Sequence, residues 1–396
     1  MLTGSPTLAP LAAFVAERLR ARNPIVHSFF ASEAERLTDA SGALAERFER
    51  GGRLFAFGNG PYATDAAHLS VEFVHPVIVG KRALPAVDVS AAYAALLDAL
   101  ATPDDVAVAF GPPEGDAEAL RVLERVRRRG VLTFALPGGH ADYAVDTPTD
   151  DVHVHQEVFE ILGHTLYESV HVFLEHASRE GTADGGAAAF LYPFLGTGTP
   201  VDRASVARSI VAKASDGERL RERVAGRQSE SIAAAVVAIA ERLVQGSRLL
   251  AFGNGGSATD ATDFVLDCVA PESGARAIPA LSLAVEPAIL TAVGNDVGME
   301  LTFVRQLIAQ SRRGDVAVAF STSGGSKNVV AALVEARARG LLTVALLGYD
   351  GGEIVRRGLA DHAIVVESDD IPRIQETQAA VYHVLRESLD RIRYGA

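Results

Sequence analysis

Short runs of β-branched and apolar residues alternate along this chain with longer stretches whose apolar positions recur at helical spacing. That alternation is the pattern of a parallel sheet covered by helices on both faces, because such strands are buried on both sides and need a helical crossover between them. In the first half, Arg53–Phe57, Asp105–Phe110 and Val131–Leu136 read as strands, and in the second Arg248–Phe252, Asp315–Phe320 and Leu342–Leu347 do the same. Ser32–Glu49 and Ser229–Val244 carry apolar residues at helical spacing and are expected to lead into the first strand of each half. Between Ala177 and Pro200 the alternation stops, and the turn-rich pieces REGTADGG and GTGTP mark a linker. Its centre, AAAFLYPFL, is too apolar for a bare tether and is expected to pack onto one of the domains. The expected organisation is therefore an N-terminal domain over 1–180, a linker over 181–200 and a C-terminal domain over 201–396.

The two halves are copies of one another. Arg53 to Val74 reads RLFAFGNGPYATDAAHLSVEFV and Arg248 to Val269 reads RLLAFGNGGSATDATDFVLDCV. Three further blocks recur in order: RALPAVDVS with RAIPALSLA, DVAVAF with DVAVAF, and RGVLTFAL with RGLLTVAL. Gln156 and His164 answer to Gln375 and His383 at the same separation. A period of this length holds a whole domain, so the pattern is a tandem duplication and not a solenoid.

Composition narrows the class. With 396 residues, 48% hydrophobic and 22% charged, the chain belongs with ordered globular proteins and can bury a sizeable core. A formal net charge of −13 argues against nucleic acid as a partner, since neutralising phosphates needs a basic face. Cys268 stands alone and cannot form an internal disulfide. No long apolar stretch or signal-like N-terminus is present, which leads to the expectation of a cytoplasmic protein without a membrane partner.

Candidate chemistry clusters in two places. In the second half a strand runs into Gly253-Asn254-Gly255-Gly256-Ser257 before a helix, and another runs into Ser321-Thr322-Ser323-Gly324-Gly325-Ser326 before the next. A loop of this kind is either a tight turn with a serine N-cap or a site where backbone N–H groups meet an anion. Two of them at strand ends favour a phosphate, although neither is a Walker loop or a dinucleotide fingerprint. In the first half, His68 and Glu72 share one helix face, and so can Gln156 and His164. Each pair alone fits an ordinary hydrogen-bonded surface; together they make a nitrogen and oxygen set suited to zinc. His153, His155, His171 and His176 are expected to have no such role.

GNGGSATDA, TAVGNDVGME, STSGGSKNV, RIQE and the later histidine resemble the sedoheptulose 7-phosphate isomerases (phosphoheptose isomerases) of the sugar isomerase, or SIS, superfamily. The resemblance covers the second half from about Ser205 to Arg393 and the first half more faintly. It implies an α/β fold of two tandem SIS-type three-layer sandwiches, each with a mostly five-stranded parallel sheet. It also implies sites at subunit interfaces, hence an internal pseudo-dimer and a homodimer giving a pseudo-tetramer. Carried over by motif, the phosphate and sugar contacts are Asn254, Ser257, Asn295, Asp296, Ser321, Thr322, Ser323, Ser326 and Gln375. The zinc ligands are His68, Glu72, Gln156 and His164, with Glu72 and His164 as the catalytic acid–base pair. The halves depart from the family in complementary ways. Asp263 and Asp267 replace the histidine and glutamate in the second half, where the metal position is expected to be lost. In the first half the serine loop has become Gly111-Pro112-Pro113-Glu114-Gly115, and Glu114 and Asp116 would repel a phosphate. The first half also lacks the VGNDVGME segment, and Pro76 and Pro271 stand where the family has an arginine.

The resulting expectation is an aldose–ketose isomerase acting on a phosphorylated sugar, sedoheptulose 7-phosphate to heptose 7-phosphate, at a composite site of mixed parentage. Glu72 serves there as both ligand and base, an awkward combination because a coordinated carboxylate is the poorer base. The rival expectation is a non-catalytic SIS module that binds a sugar phosphate and regulates or scaffolds.

Overall fold

The computed structural model describes residues 8–76, 81–179, 201–271 and 275–392; the expected linker 181–200 lies outside them. The chain forms two compact units. The N-terminal unit is Pro24–Ser215, and the C-terminal unit is Met1–Asn23 together with Asp216–Ala396.

Helix α1 (Leu8–Glu49) leads into β1 (Leu54–Phe57), α2 (Tyr62–Val74), β2 (Ala86–Asp88), α3 (Tyr93–Leu100), β3 (Val106–Phe110), α4 (Ala117–Arg127), β4 (Leu132–Leu136), β5 (Tyr143–Ala144) and α5 (Val152–Arg179). Then follow α6 (Arg203–Arg227), α7 (Ser229–Val244), β6 (Leu249–Phe252), α8 (Gly256–Val269), β7 (Ala280–Ser282), α9 (Pro287–Asp296) and α10 (Thr302–Gln310). The chain continues through β8 (Val316–Ser321), α11 (Lys327–Ala338), β9 (Leu342–Gly348), α12 (Gly352–Arg356), β10 (His362–Val366) and α13 (Ile371–Ile392). The segment missing from the first copy is visible as architecture. A 3-10 turn and α3 connect β2 to β3 in the N-terminal unit, whereas α9, a 3-10 turn and α10 connect β7 to β8 in the other.

Each unit holds one five-stranded, all-parallel sheet, ordered β2-β1-β3-β4-β5 and β7-β6-β8-β9-β10. Successive side chains of a strand point to opposite faces, so every central strand feeds two cores. Leu54 and Ala56 pack with Leu44, Phe73 and Phe159, while Phe55 and Phe57 pack with Val122, Leu123 and Val126 of α4. In the second sheet Leu249 and Ala251 join Val236, Phe264 and Val381, and Leu250 and Phe252 join Leu307 and Leu333. The result is a three-layer sandwich in each unit. Both copies also keep the same brace at the bottom of the sheet: the Asp105 carboxylate accepts from Arg53 N at 2.7 Å, and the Asp315 carboxylate accepts from Arg248 N at 3.1 Å.

The six strands expected from the sequence are found within a residue at each end. The edge strands β2, β5, β7 and β10 are additions; they are short or partly exposed and carry too little apolar signal to stand out. The first helix is also longer than expected, starting at Leu8 and passing through Pro24. Proline removes a backbone donor and ordinarily ends a helix, but here it falls where α1 leaves one unit and enters the other.

Leu11, Val15 and Leu19 of α1 belong to the core of the C-terminal unit, beside Ile232, Val236 and Leu385. Truncating Leu19, fully buried, should therefore cost roughly 2–5 kcal/mol. Urea unfolding of Leu19→Ala followed by circular dichroism checks this, and an unchanged midpoint would remove residues 8–23 from that core.

Candidate active site

In each sheet the strand order reverses beside the first strand, between β1 and β3 and between β6 and β8. Loops leaving the carboxyl ends of those strands diverge at such a point and leave a crevice, the usual ligand position in open α/β sheets. The loops that follow β6 and β8 are the two glycine- and serine-rich segments.

In the C-terminal unit, Gly253 is required because a Cβ there would lie 2.3 Å from the Ser257 carbonyl oxygen, so the strand can turn directly into α8. The first helical turn of α8 follows Gly255 and has no side-chain cap. Helix α11 likewise starts after Ser326 without a side-chain cap. Two helix starts therefore present N–H groups and the positive ends of their dipoles at one crevice. Asn254 and Asn328 tie the two loops together, each amide donating to the other at 2.9 and 2.7 Å. Asn328 was not singled out from the sequence; its signal is only that it follows the serine loop by two residues. Inside that loop Ser321 accepts from Gly324 N and Ser323 accepts from Gly325 N, leaving Thr322, Ser323 and Ser326 at least partly exposed. Ser257 is buried under the α8 start. Asn295 and Asp296 lie exposed at the end of α9, hydrogen-bonded to each other, and no hydrogen bond among the described residues joins them to the serine loop.

The corresponding crevice of the N-terminal unit is filled from within. Asp116 caps α4, its carboxylate accepting from Glu118 N at 2.9 Å and Ala119 N at 3.0 Å, and the other oxygen accepts from Asn59 at 2.6 Å. Burial pushes the Asp116 carboxyl up, but the Ala119, Asn59 and Glu118 donors and nearby Arg121 outweigh it and hold the group below its ordinary value. A fixed carboxylate thus stands where an anion would otherwise meet the helix start.

The helices after β1 and at the end of the unit hold the other candidate set. His68, Glu72, Gln156 and His164 are all buried on α2 and α5. His68 Nε2 lies 3.9 Å from Glu72 Oε1, and the His68 and His164 rings meet edge to face with centroids 5.2 Å apart. Gln156 is set nearer the start of α2, its amide donating to Thr64 Oγ1 at 3.5 Å. Asp65, His68, Glu72, Glu160 and His164 line one small pocket. Within it the ligand atoms of His68, Glu160 and His164 all lie within 4.8 Å of one another. Two imidazoles and a carboxylate held together on buried helix faces suit zinc, so the donor chemistry fits the ion that the resemblance implies. Glu160 was also missed in the sequence, although it stands four residues from both Gln156 and His164 and hence on their face of α5.

His155 and His171 are core residues: His155 sits between Gly111 O and Thr147, and His171 between Tyr167 O and Arg82 O. Burial pushes both imidazoles down. The side chain of His176 lies outside those described.

The second copy of this region has a different composition. His383 Nε2 stands 3.4 Å from both Asp263 Oδ2 and Asp267 Oδ2, and Tyr382 donates to Asp263 Oδ2 at 2.8 Å. Asp260 is buried beside them, and burial followed by the negative charge of Asp263 raises its pKa well above the ordinary carboxyl value, against an opposing pull from His383. Gln375 is buried on α13, two turns before His383.

A family model described as the SIS domain matches residues 214–348. The phosphoheptose isomerase of Geotalea daltonii is 42% identical over 179 residues, which span 45% of this chain and 92% of that protein. The phosphoheptose isomerase of Geobacter sulfurreducens is 42% identical over 175 residues, spanning 44% and 89%. Among solved structures, the C-terminal domain of glucosamine-fructose-6-phosphate aminotransferase from Francisella tularensis matches 93% of this chain and 96% of its own, with a TM-score of 0.55 at 12% identity. That likeness is one of fold, and it spans both sandwiches.

Capping by Asp116 makes a prediction about acid stability. Because the folded carboxyl has the lower pKa, its contribution is present above the ordinary value of the unfolded chain and is lost as pH falls through the folded value. Asp116→Ala should destabilise the chain by about 1 kcal/mol near neutral pH, the usual cost of losing an N-cap. Unfolding midpoints of the two proteins should converge in acid; a gap that persists unchanged there would contradict the capping role.

Proposed function

Because this chain belongs to the phosphoheptose isomerase family of SIS-domain proteins, we propose that it interconverts a ketose phosphate and an aldose phosphate, with sedoheptulose 7-phosphate as the ketose. The observation that carries this reading is the complementary state of the two copies. The first copy keeps a buried imidazole and carboxylate pocket, and the second keeps two uncapped helix starts among serines.

In this reading the phosphate is held by the hydroxyls of Ser257, Ser321, Ser323 and Ser326 and by the N–H groups that begin α8 and α11. Asn254 supports the cradle through Asn328. Glu72 removes the proton from the hydroxyl-bearing carbon next to the carbonyl and returns it to the former carbonyl carbon, with an enediol between the two steps. Its seat in a buried pocket, 2% exposed, keeps bulk water from exchanging that proton or competing for the base. His68, Glu72, Gln156 and His164 would hold zinc there. Zinc supplies a Lewis acid that stabilises negative charge on the substrate oxygens. The hydroxyl oxygen must also lose a proton and the carbonyl oxygen gain one, and His164 would carry that transfer as the partner acid.

NMR of the full chain with sedoheptulose 7-phosphate, with and without chelator, tests the proposal. Glu72→Gln should lower kcat by roughly 10²–10⁴-fold with KM little changed, whereas Ser323→Ala should act mainly on KM. Intact turnover in Glu72→Gln would remove the catalytic assignment and leave a sugar-phosphate-binding module in its place. Elemental analysis provides a second check: about one zinc per chain, lost in His68→Ala and kept in Asp263→Ala. Equal loss in both would place the zinc elsewhere.

A further inference from the structure

We infer that the segment between β9 and α12, residues 348–352, is the positioning element of the phosphate cradle, and that Asp350 is the residue that pins it in place. The inference rests on the reading above that the serine loop, residues 321–326, binds the phosphate; Asp350 acts through Gly352 and not on the substrate.

Three successive carbonyls of the serine loop face this segment. Thr322 O accepts from Gly348 N at 3.0 Å, and Gly324 O accepts from Ile354 N at 3.0 Å. Between them, Ser323 O lies so close to Gly352 that a Cβ there would stand 2.3 Å away, and a Cβ on Gly324 would stand 2.2 Å from Gly351 O. The two loops therefore meet backbone to backbone. In a planar trans amide the C=O and the following N–H point to opposite sides, so holding three carbonyls on the β9 side sends the N–H groups of Ser323, Gly324 and Gly325 the other way. Strand β9 lies on the far side of β8 from β6, and that other side is therefore the side of the crevice. The Ser321 hydroxyl oxygen accepts from Gly324 N at 3.1 Å and the Ser323 hydroxyl oxygen from Gly325 N at 3.2 Å, which leaves each hydroxyl its own proton to donate to an anion. A carbonyl turned round into the crevice would set its negative end against the phosphate instead of a donor.

Asp350 fixes the shape of the segment. Its Oδ1 accepts from Gly352 N at 2.9 Å, closing a short turn around Gly351, and its side chain is exposed. The first copy supplies the contrast. Both copies share a brace, in which Thr133 N donates to Asp142 in one and Thr343 N donates to Asp361 in the other. The braced residues are 9 positions apart in the first copy and 18 in the second. The added length includes α12, and no helix lies between β4 and β5 at the matching place. The copy whose crevice is closed by Asp116 thus lacks the support, and the copy whose helix starts have no side-chain cap has it.

The test is the affinity of the full chain for inorganic phosphate, measured by titration calorimetry. Gly352→Ala should raise Kd roughly tenfold or more, the effect of losing one hydrogen bond to a charged group. Gly358→Ala is its control: φ is +59° there and +56° at Gly352, but a Cβ on Gly358 meets open space. That variant carries the same backbone strain without pressing on the serine loop and should bind phosphate as the parent does. Asp350→Ala and Asp350→Asn both lose the charge that faces Arg356, but only asparagine keeps an acceptor for Gly352 N. Asp350→Ala should therefore bind phosphate roughly three- to tenfold more weakly than Asp350→Asn. This second pair gives the answer if Gly352→Ala does not fold. In turnover, Gly352→Ala and Asp350→Ala should raise KM with kcat little changed. Equal phosphate affinity in the two Asp350 variants overturns the inference, as does a loss in Gly358→Ala as large as that in Gly352→Ala. A parent that binds no phosphate would remove the cradle reading and this inference with it, whereas a parent that binds it and is indifferent to all four changes would remove the inference alone.

Discussion

A helix that begins at the end of a buried strand leaves N–H groups that must find an acceptor, and the two sites of this protein follow from how each copy meets that demand. The all-parallel sheet with its reversal beside the first strand sends two such helix starts to one crevice in each unit. In the C-terminal unit they are left to serines and glycines, so an incoming anion is the natural acceptor. In the N-terminal unit Asp116 supplies the acceptor permanently. A fixed carboxylate and a bound phosphate compete for the same donors, so the capped crevice gives up anion binding in exchange for a helix start that is satisfied at all times.

The buried faces of α2 and α8 make a parallel contrast. Both present a polar pair, four residues apart, to the last helix of their unit, and both meet a histidine there. In the first copy the pair is His68 and Glu72, longer and mixed in character, and it encloses a pocket. In the second, two aspartates close directly onto His383, and Tyr382 takes one of the remaining acceptor sites. Shorter acids there meet an imidazole and a phenol, and the ligand atoms of Asp263, Asp267 and His383 also lie within 4.8 Å of one another. The chemistry of each copy is thus set by side-chain length and donor balance on an otherwise common frame.

Much of this frame was legible in the sequence because duplication made each half a check on the other. The central strands were found since they are continuous apolar runs buried on both faces. The edge strands were not, because β5 and β2 hold only two or three residues with partly exposed side chains. Residues 8–23 escaped for another reason: their apolar face packs in the unit formed by 216–396, and a local pattern cannot say which distant segment covers it. In the candidate sites, His68, Glu72 and His164 were singled out by spacing and resemblance together, and α2 and α5 bury them. Glu160 and Asn328 were not, since a glutamate or asparagine on an amphipathic helix carries no mark of what it faces until the partner helix or loop is in place.

Two identical subunits related by symmetry must repeat any substitution at every site, so a capped phosphate crevice or an aspartate in place of a metal-binding histidine would disable all sites at once. A covalent pair is released from that constraint. Asp116 can stabilise one crevice while Ser326, at the matching N-cap, keeps the other open. The braces at Asp105 and Asp315 are a feature of the sheets that both copies share. Duplication within one chain therefore lets two copies of the same architecture change independently, as the residues at the matching caps Asp116 and Ser326 have done.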